Sequence, residues 1–203
     1  MASKIEIFNR ALVILGEARV AAPTQDAKGA REQLAIWDTT RRSLLESYRW
    51  SFAMRRVGLA PLAASPAFGF TLQFLLPPDY LRLDFVEDFF VGIGSVDLRL
   101  GGEDPYSVEG STGGMIILSD LANPLNIRYI ADVTTTTHYN ATFTEALAAK
   151  LALDAGWSIT KNKTAVGKAQ DAFNTAISTA WRVQAIERPP EQQPDTPWAT
   201  VRR

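Results

Sequence analysis

The stretch Leu45-Glu46-Ser47-Tyr48-Arg49-Trp50-Ser51-Phe52-Ala53-Met54-Arg55-Arg56-Val57-Gly58-Leu59 constrains the fold more than any other part of the chain. Before it, apolar residues recur at helical spacing. After it they alternate, and the Gly or Pro loop that usually separates two elements is missing. The chain must pass from helix to strand within a few residues, with Tyr48, Trp50 and Phe52 at the crossing. Helices therefore flank the sequence and strands fill its middle, an arrangement that suggests an assembly part more than an enzyme.

The helical flanks carry their own signals. Ser3 and Glu6 form an S-x-x-E capping box ahead of an apolar run, Ile5 to Leu15, which Gly16 should stop. A second helix is expected from about Asp26 to Tyr48. Its apolar positions Ala27, Ala30, Leu34, Trp37, Leu44 and Tyr48 form a seam broken at Arg41. The two helices should pair as a hairpin across a loop containing Pro23. Helices return at Thr142, where Thr142 and Glu145 read as a second capping box opening an alanine-rich helix over Phe143–Ile159. A fourth is expected over Thr164–Ile186, with Val166, Ala169, Phe173, Ala176, Ile177 and Ala180 inward.

Between these flanks, period-two runs predict strands at Phe52–Leu59, Phe70–Leu76, Leu81–Val86, Phe89–Ile93, Val96–Leu100, Tyr106–Glu109, Met115–Leu118 and Asn126–Ile130. Turn residues punctuate them, and Gly113-Gly114 reads as a β-hairpin. The fold class is α+β: a four-helix bundle built from both chain ends (1–50 and 140–186), an inserted antiparallel β lobe (51–139) forming one small sheet or partial barrel, and an extended Pro-rich arm (187–203). That arm, Glu187 to Arg203, reads either as disorder or as a segment that docks on a partner. Its Trp198 is costly to leave exposed, and tryptophan and arginine are common interface anchors.

Composition narrows the chemistry. A chain without cysteine has no disulfides, thiolate metal sites or cysteine nucleophiles, and a single histidine, His138, rules out a two-histidine metal site within one copy. A net charge of −1 lacks the overall basic balance of a generic nucleic-acid binder, although a local patch stays open. No apolar run suggests a secretory leader or a membrane span, so a soluble protein made in the cytoplasm is expected. Phosphate-loop and nucleophile-elbow motifs are absent, and Gly92-Ile93-Gly94 lacks the third glycine of a dinucleotide fingerprint. The carboxylate pairs Glu87/Asp88 and Glu103/Asp104 sit beside turns, where solvation is the ordinary reading, and His138 reads as exposed or capping. No catalytic residue, cofactor or metal is expected. Among the basic residues, Arg41, Arg42, Arg55 and Arg56 read first as solvated faces or intramolecular ion pairs. The sharper alternative pairs Arg41 or Arg55 with acids on a neighbouring copy.

In combination these features resemble the tail tubular protein A family of short-tailed bacteriophages. The residues that carry the likeness are Phe8-Asn9-Arg10-Ala11-Leu12-Val13-Ile14-Leu15-Gly16-Glu17, the corner Arg49-Trp50-Ser51-Phe52, the insert Leu76-Pro77-Pro78-Asp79-Tyr80-Leu81-Arg82 and the return helix Glu145–Trp157. The likeness spans residues 3–186 and rests on the order and spacing of these motifs. It implies a non-enzymatic virion protein, a head-to-tail adaptor whose dodecameric ring joins the portal protein to the tail nozzle protein and lets DNA pass without sequence-specific binding. Trp198, Arg202 and Arg203 would anchor the arm, Arg41 and Arg55 would serve the neighbour interface, and Trp50 with Phe52 would form the hinge between lobes. The rival readings are an oligomeric DNA-packaging or DNA-binding virion subunit and a virion enzyme such as a wall hydrolase.

Overall fold

The computed structural model describes residues 2–87, 89–90 and 105–187. Trp198, Arg202 and Arg203, the arm beyond Glu187, Asp88, Gly92–Gly94, the expected strand Val96–Leu100 and the pair Glu103/Asp104 lie outside the described residues.

The first helix, α1 (Lys4–Leu15), starts and stops where local chemistry requires. Ser3 accepts from the Glu6 N–H, the Glu6 carboxylate accepts from the Ser3 N–H, and Gly16 closes the end in the left-handed region at φ 76°. Helix α2 (Lys28–Ser47) begins two residues later than expected, with Ala27 as an N-cap that makes no side-chain bond. Its inward stripe is Ala30, Gln33, Trp37, Thr40, Arg41, Leu44 and Leu45, whereas Leu34 is exposed. The apolar seam thus misses three polar positions that the helix buries. Two of them have buried-side partners: Thr40 donates to Asp154 at 3.1 Å and Arg41 reaches Asp132.

Helices α3 (Ala141–Thr160) and α4 (Lys163–Ile186) return from the β region. The expected Thr142/Glu145 capping box is not formed. Asn140 takes the cap instead, its side chain accepting from the Phe143 N–H at 2.8 Å, and Glu145 pairs with Arg10 across the helices at 2.9 Å. A second Asx cap, Asn162, opens α4. Helices α1 and α2 both pack chiefly on α3 rather than on each other, as does α4. They meet directly where Phe8 and Trp37 stack edge-on at 5.5 Å. The small residues of α3 allow this crowding: a Cβ at Gly156 would lie 3.1 Å from Leu15 and 3.3 Å from Val166.

The middle of the chain forms two antiparallel sheets rather than one. Strands β1 (Met54–Leu59), β3 (Tyr80–Val86), β4 (Phe89–Phe90) and β7 (Leu125–Ala131) are ordered β1-β7-β3-β4, and β2 (Gln73–Leu75), β5 (Tyr106–Ser111) and β6 (Gly114–Ser119) are ordered β2-β6-β5. Ser111 pairs with Gly114, so the hairpin turn is Thr112-Gly113, one residue before the expected pair. The sheets share a core of Leu59, Phe74, Leu83, Val86, Ile117, Leu125, Ile127 and Tyr129. A larger core holds the helices together with Trp50, Ala53, Ile130 and Val133. Strand β7 therefore serves both cores: Ile127 and Tyr129 point to the other sheet, and Ile130 points to the helices.

At the crossing, Tyr48 and Trp50 are extended and a short 3-10 turn, Ser51–Ala53, leads into β1. Trp50 is fully buried, and its indole N–H donates to the Leu44 carbonyl at 2.8 Å. Its ring meets Phe143 at 4.8 Å, Tyr48 at 5.8 Å and Phe52 at 6.3 Å, while Phe52 and Tyr139 close on Phe143 at 5.0 and 4.8 Å. Helix α4 joins through Trp181, stacked on Tyr48 at 5.5 Å, and through Gln184, which accepts the Ser51 N–H.

The cap assignment is checked by single substitutions read by urea denaturation. Asn140→Ala should cost about 1 kcal/mol; Thr142→Ala should cost clearly less, since Thr142 caps nothing.

Candidate functional site

The border between the helical and β halves concentrates the charged side chains. At the end of β7, the Asp132 carboxylate receives Arg41 and Arg42 from adjacent positions of α2, Arg42 Nε at 2.8 Å. Arg41 also donates to the Val133 carbonyl at 3.0 Å and lies 3.3 Å from Asp38. With 1 % of its side chain exposed, Arg41 has no face to offer a neighbouring copy. Its expected pairing across an interface is replaced by this internal one, because the seam position that it occupies points into the fold. Burial alone would raise the Asp132 carboxyl, but hydrogen bonds and charge from Arg41 and Arg42 outweigh it and hold the carboxyl below its ordinary value. Tyr139 donates to the Val133 carbonyl at 2.7 Å. Burial is the main cause that pushes its hydroxyl up to about 12, with Arg41 opposing and Asp132 and Asp38 assisting.

A second knot lies at the crossing itself. Asp84 of β3, fully buried, accepts one hydrogen bond from Arg49 at 2.9 Å and pairs with Arg128 of β7 through Nε at 2.5 Å. The Arg128 guanidinium also lies 5.1 Å over the Phe85 ring.

Next to this knot, β1 and β7 present an exposed stretch, the shelf, around Arg56 and Gly58. The register sets Arg56 directly opposite Arg128 and Gly58 opposite Asn126, so these residues share a face. They line a cavity of about 540 Å³ together with Phe85 and Glu87. Glu87, at φ 48°, accepts from the Asn126 backbone N–H and, at 3.4 Å, from its amide. Arg56 is exposed, and none of the described residues pairs with it. Arg55 points to the opposite face, half exposed and 3.6 Å from Asp79. It remains near the surface, as an interface residue would need to be.

The helical half carries a different surface. A groove of about 560 Å³ runs between α1, α3 and α4, floored by Ile14, Ala149, Ala172 and Ala176 and spanned by the Arg10–Glu145 pair. His138 is exposed in a 3-10 turn, Thr136–His138, as read from the sequence. Among the described residues no group of three acidic or histidine side chains is placed to hold a metal ion, and no helix is long and apolar enough to cross a membrane.

Asp132, Asp84, Arg128 and Asn126 were not singled out by the sequence reading. A signal existed for two of them: Asp84 and Arg128 interrupt otherwise apolar strand runs, Leu83-Asp84-Phe85 and Ile127-Arg128-Tyr129. A charge in such a run needs a partner when the strand is buried. No protein-family model matches the chain, and no curated protein matches it.

The Asp132 pair makes two predictions. Asp132→Ala leaves the enclosed Arg41 without its main partner and should cost about 3–5 kcal/mol in urea denaturation. The folded carboxyl lies below its unfolded value, so the pair stabilises the fold above the ordinary carboxylate pKa of about 4 and is lost as pH falls through the lowered value. The acid-side fall in melting temperature should therefore be shallower in Asp132→Asn than in the parent protein. At the other extreme, Tyr139 stabilises the neutral-hydroxyl fold below an unfolded pKa of about 10, a contribution lost as pH rises through about 12.

Proposed function

We propose that this protein is a structural head-to-tail adaptor: a subunit of a ring that joins a portal to a tail nozzle and surrounds the path of DNA in the virion. In this reading the helices form a four-helix bundle built from both ends of the chain, the β lobe is its insertion, and the Pro-rich segment after Glu187 serves as an arm toward a partner. The observation that carries the reading is the jointed architecture, a helical half and a β half locked at one aromatic corner. The reading joins this corner to the tail tubular protein A resemblance of the motifs on either side of it. Two further features support it. Ring subunits meet through heterologous contacts and need two different faces. The α1/α3/α4 groove and the arginine shelf are two unlike surfaces on separate halves of the subunit.

The mechanism is geometric. A rigid corner fixes the angle between the halves, so the ring dimension set by one half determines where the other presents itself to the next component. DNA passage calls for few permanently free cations, because clustered Lys and Arg hold phosphates strongly. Here Arg41, Arg42 and Arg49 are engaged by Asp132 and Asp84 within the subunit, and Arg128 meets Asp84 through Nε alone.

Mixing the purified protein with isolated portal rings tests the proposal by sedimentation velocity and electron microscopy. Added density on one face of the ring, with several copies per portal, is the expected outcome. A protein that stays monomeric and never sediments with the portal overturns the proposal.

A further inference from the structure

The geometry points to the shelf around Arg56 and Arg128 as a binding site for a phosphate-type oxyanion. Four observations carry it. First, the β1/β7 register places the two arginines directly opposite each other, with Cβ atoms about 4.5–5.5 Å apart. Like charges in that position weaken strand pairing unless a counter-charge joins them. Second, the acids nearby among the described residues make no contact with Arg56. Asp84 serves Arg49 and Arg128 together, and Glu87 accepts both the Asn126 backbone N–H and its amide.

Third, donors remain free. Arg128 turns Nε to Asp84, and no acceptor among the described residues takes its terminal amino groups. Arg56 is exposed and pairs with none of the described residues. Fourth, there is room. The two guanidinium groups line one cavity of about 540 Å³, and Gly58, next along the same face, contributes no side chain to fill it. Two arginines lining one opening suit a tetrahedral oxyanion, which accepts several hydrogen bonds at once. Binding would neutralise the cross-strand repulsion, so it should also stabilise the fold.

The same chemistry has two sources, free phosphate and the phosphodiester backbone of nucleic acid. The inference stands on the shelf alone and not on the adaptor reading: a protein that failed to assemble on a portal could still bind here. The test uses the full chain at low ionic strength, titrated by calorimetry with inorganic phosphate and, separately, with a short DNA duplex. Arg56→Gln is compared with Arg55→Gln. These neighbouring substitutions remove the same charge from opposite faces of β1, and neither residue is buried. Arg56→Gln should weaken binding by roughly tenfold or more, the scale of one lost charge-assisted contact, and abolish the rise in melting temperature that phosphate gives the parent. Arg55→Gln should stay within about twofold of the parent. Saturable binding of phosphate alone identifies the free anion as the source, and salt-sensitive binding of the duplex through Arg56 identifies the backbone. No binding of either probe, or equal losses in the two variants, overturns the inference.

Discussion

The packing of Trp50 against Phe143 is the contact on which the rest of the structure depends. Trp50 belongs to the segment leaving α2, and Phe143 to the first turn of the helix that returns from the β region. Their rings meet at 4.8 Å in a fully buried site, so the two ends of the β region are held together where it joins the helices. Burying a side chain of this size stabilises by several kcal/mol, on the scale of the about 3–5 kcal/mol lost when a core Trp or Phe is cut to Ala. Tyr48, Phe52, Tyr139 and Trp181 extend the cluster in edge-on and stacked pairs, which brings α4 into the same joint. The indole N–H has its partner in the Leu44 carbonyl, so the tryptophan is buried without an orphaned donor.

Around this apolar joint the charged side chains act as ties. Asp132 holds α2 to the end of β7, and Asp84 holds the crossing to β3 and β7. Such pairs are weak evidence of net stability, since desolvation offsets much of the attraction. Their directional value is greater, because charge-assisted guanidinium–carboxylate contacts favour one orientation of the two halves. They also leave an imbalance on the open face of the sheet, where Arg56 stands opposite Arg128 and the one carboxylate that Arg128 binds, Asp84, is shared with Arg49. The same sequence feature, arginine in and near β1, thus yields an internal brace at Arg49 and, at Arg56, a donor with no partner among the described residues.

Much of this was legible in the sequence because its causes are local. Ser3, Glu6 and Gly16 fix α1 by bonds within a few residues, and the alternation after Trp50 reports a strand whose faces differ. The misreadings arise where a distant residue decides. Thr142 and Glu145 have capping-box spacing, yet Asn140 lies closer to the true start and Arg10, far away in sequence, draws Glu145 off. Leu34 fits the apolar seam of α2, but Gln33, Thr40 and Arg41 face inward, two of them toward Asp154 and Asp132. The division into two sheets depends on which strands pair, and β7 alternates between two cores in a way that periodicity alone cannot assign. For the candidate site, Arg56 was visible as a strand arginine, whereas its partner on the shelf became identifiable only through the β1/β7 register.

Native-state hydrogen exchange, followed in α3 and β7 through a series of sub-denaturing urea concentrations, tests the central claim of a single rigid joint most directly. The slowest amides of both elements should converge on one opening free energy and one urea dependence, and Trp50→Ala should lower both together. Separate opening of β7 while α3 stays protected, or a Trp50→Ala effect confined to the helices, would contradict the account.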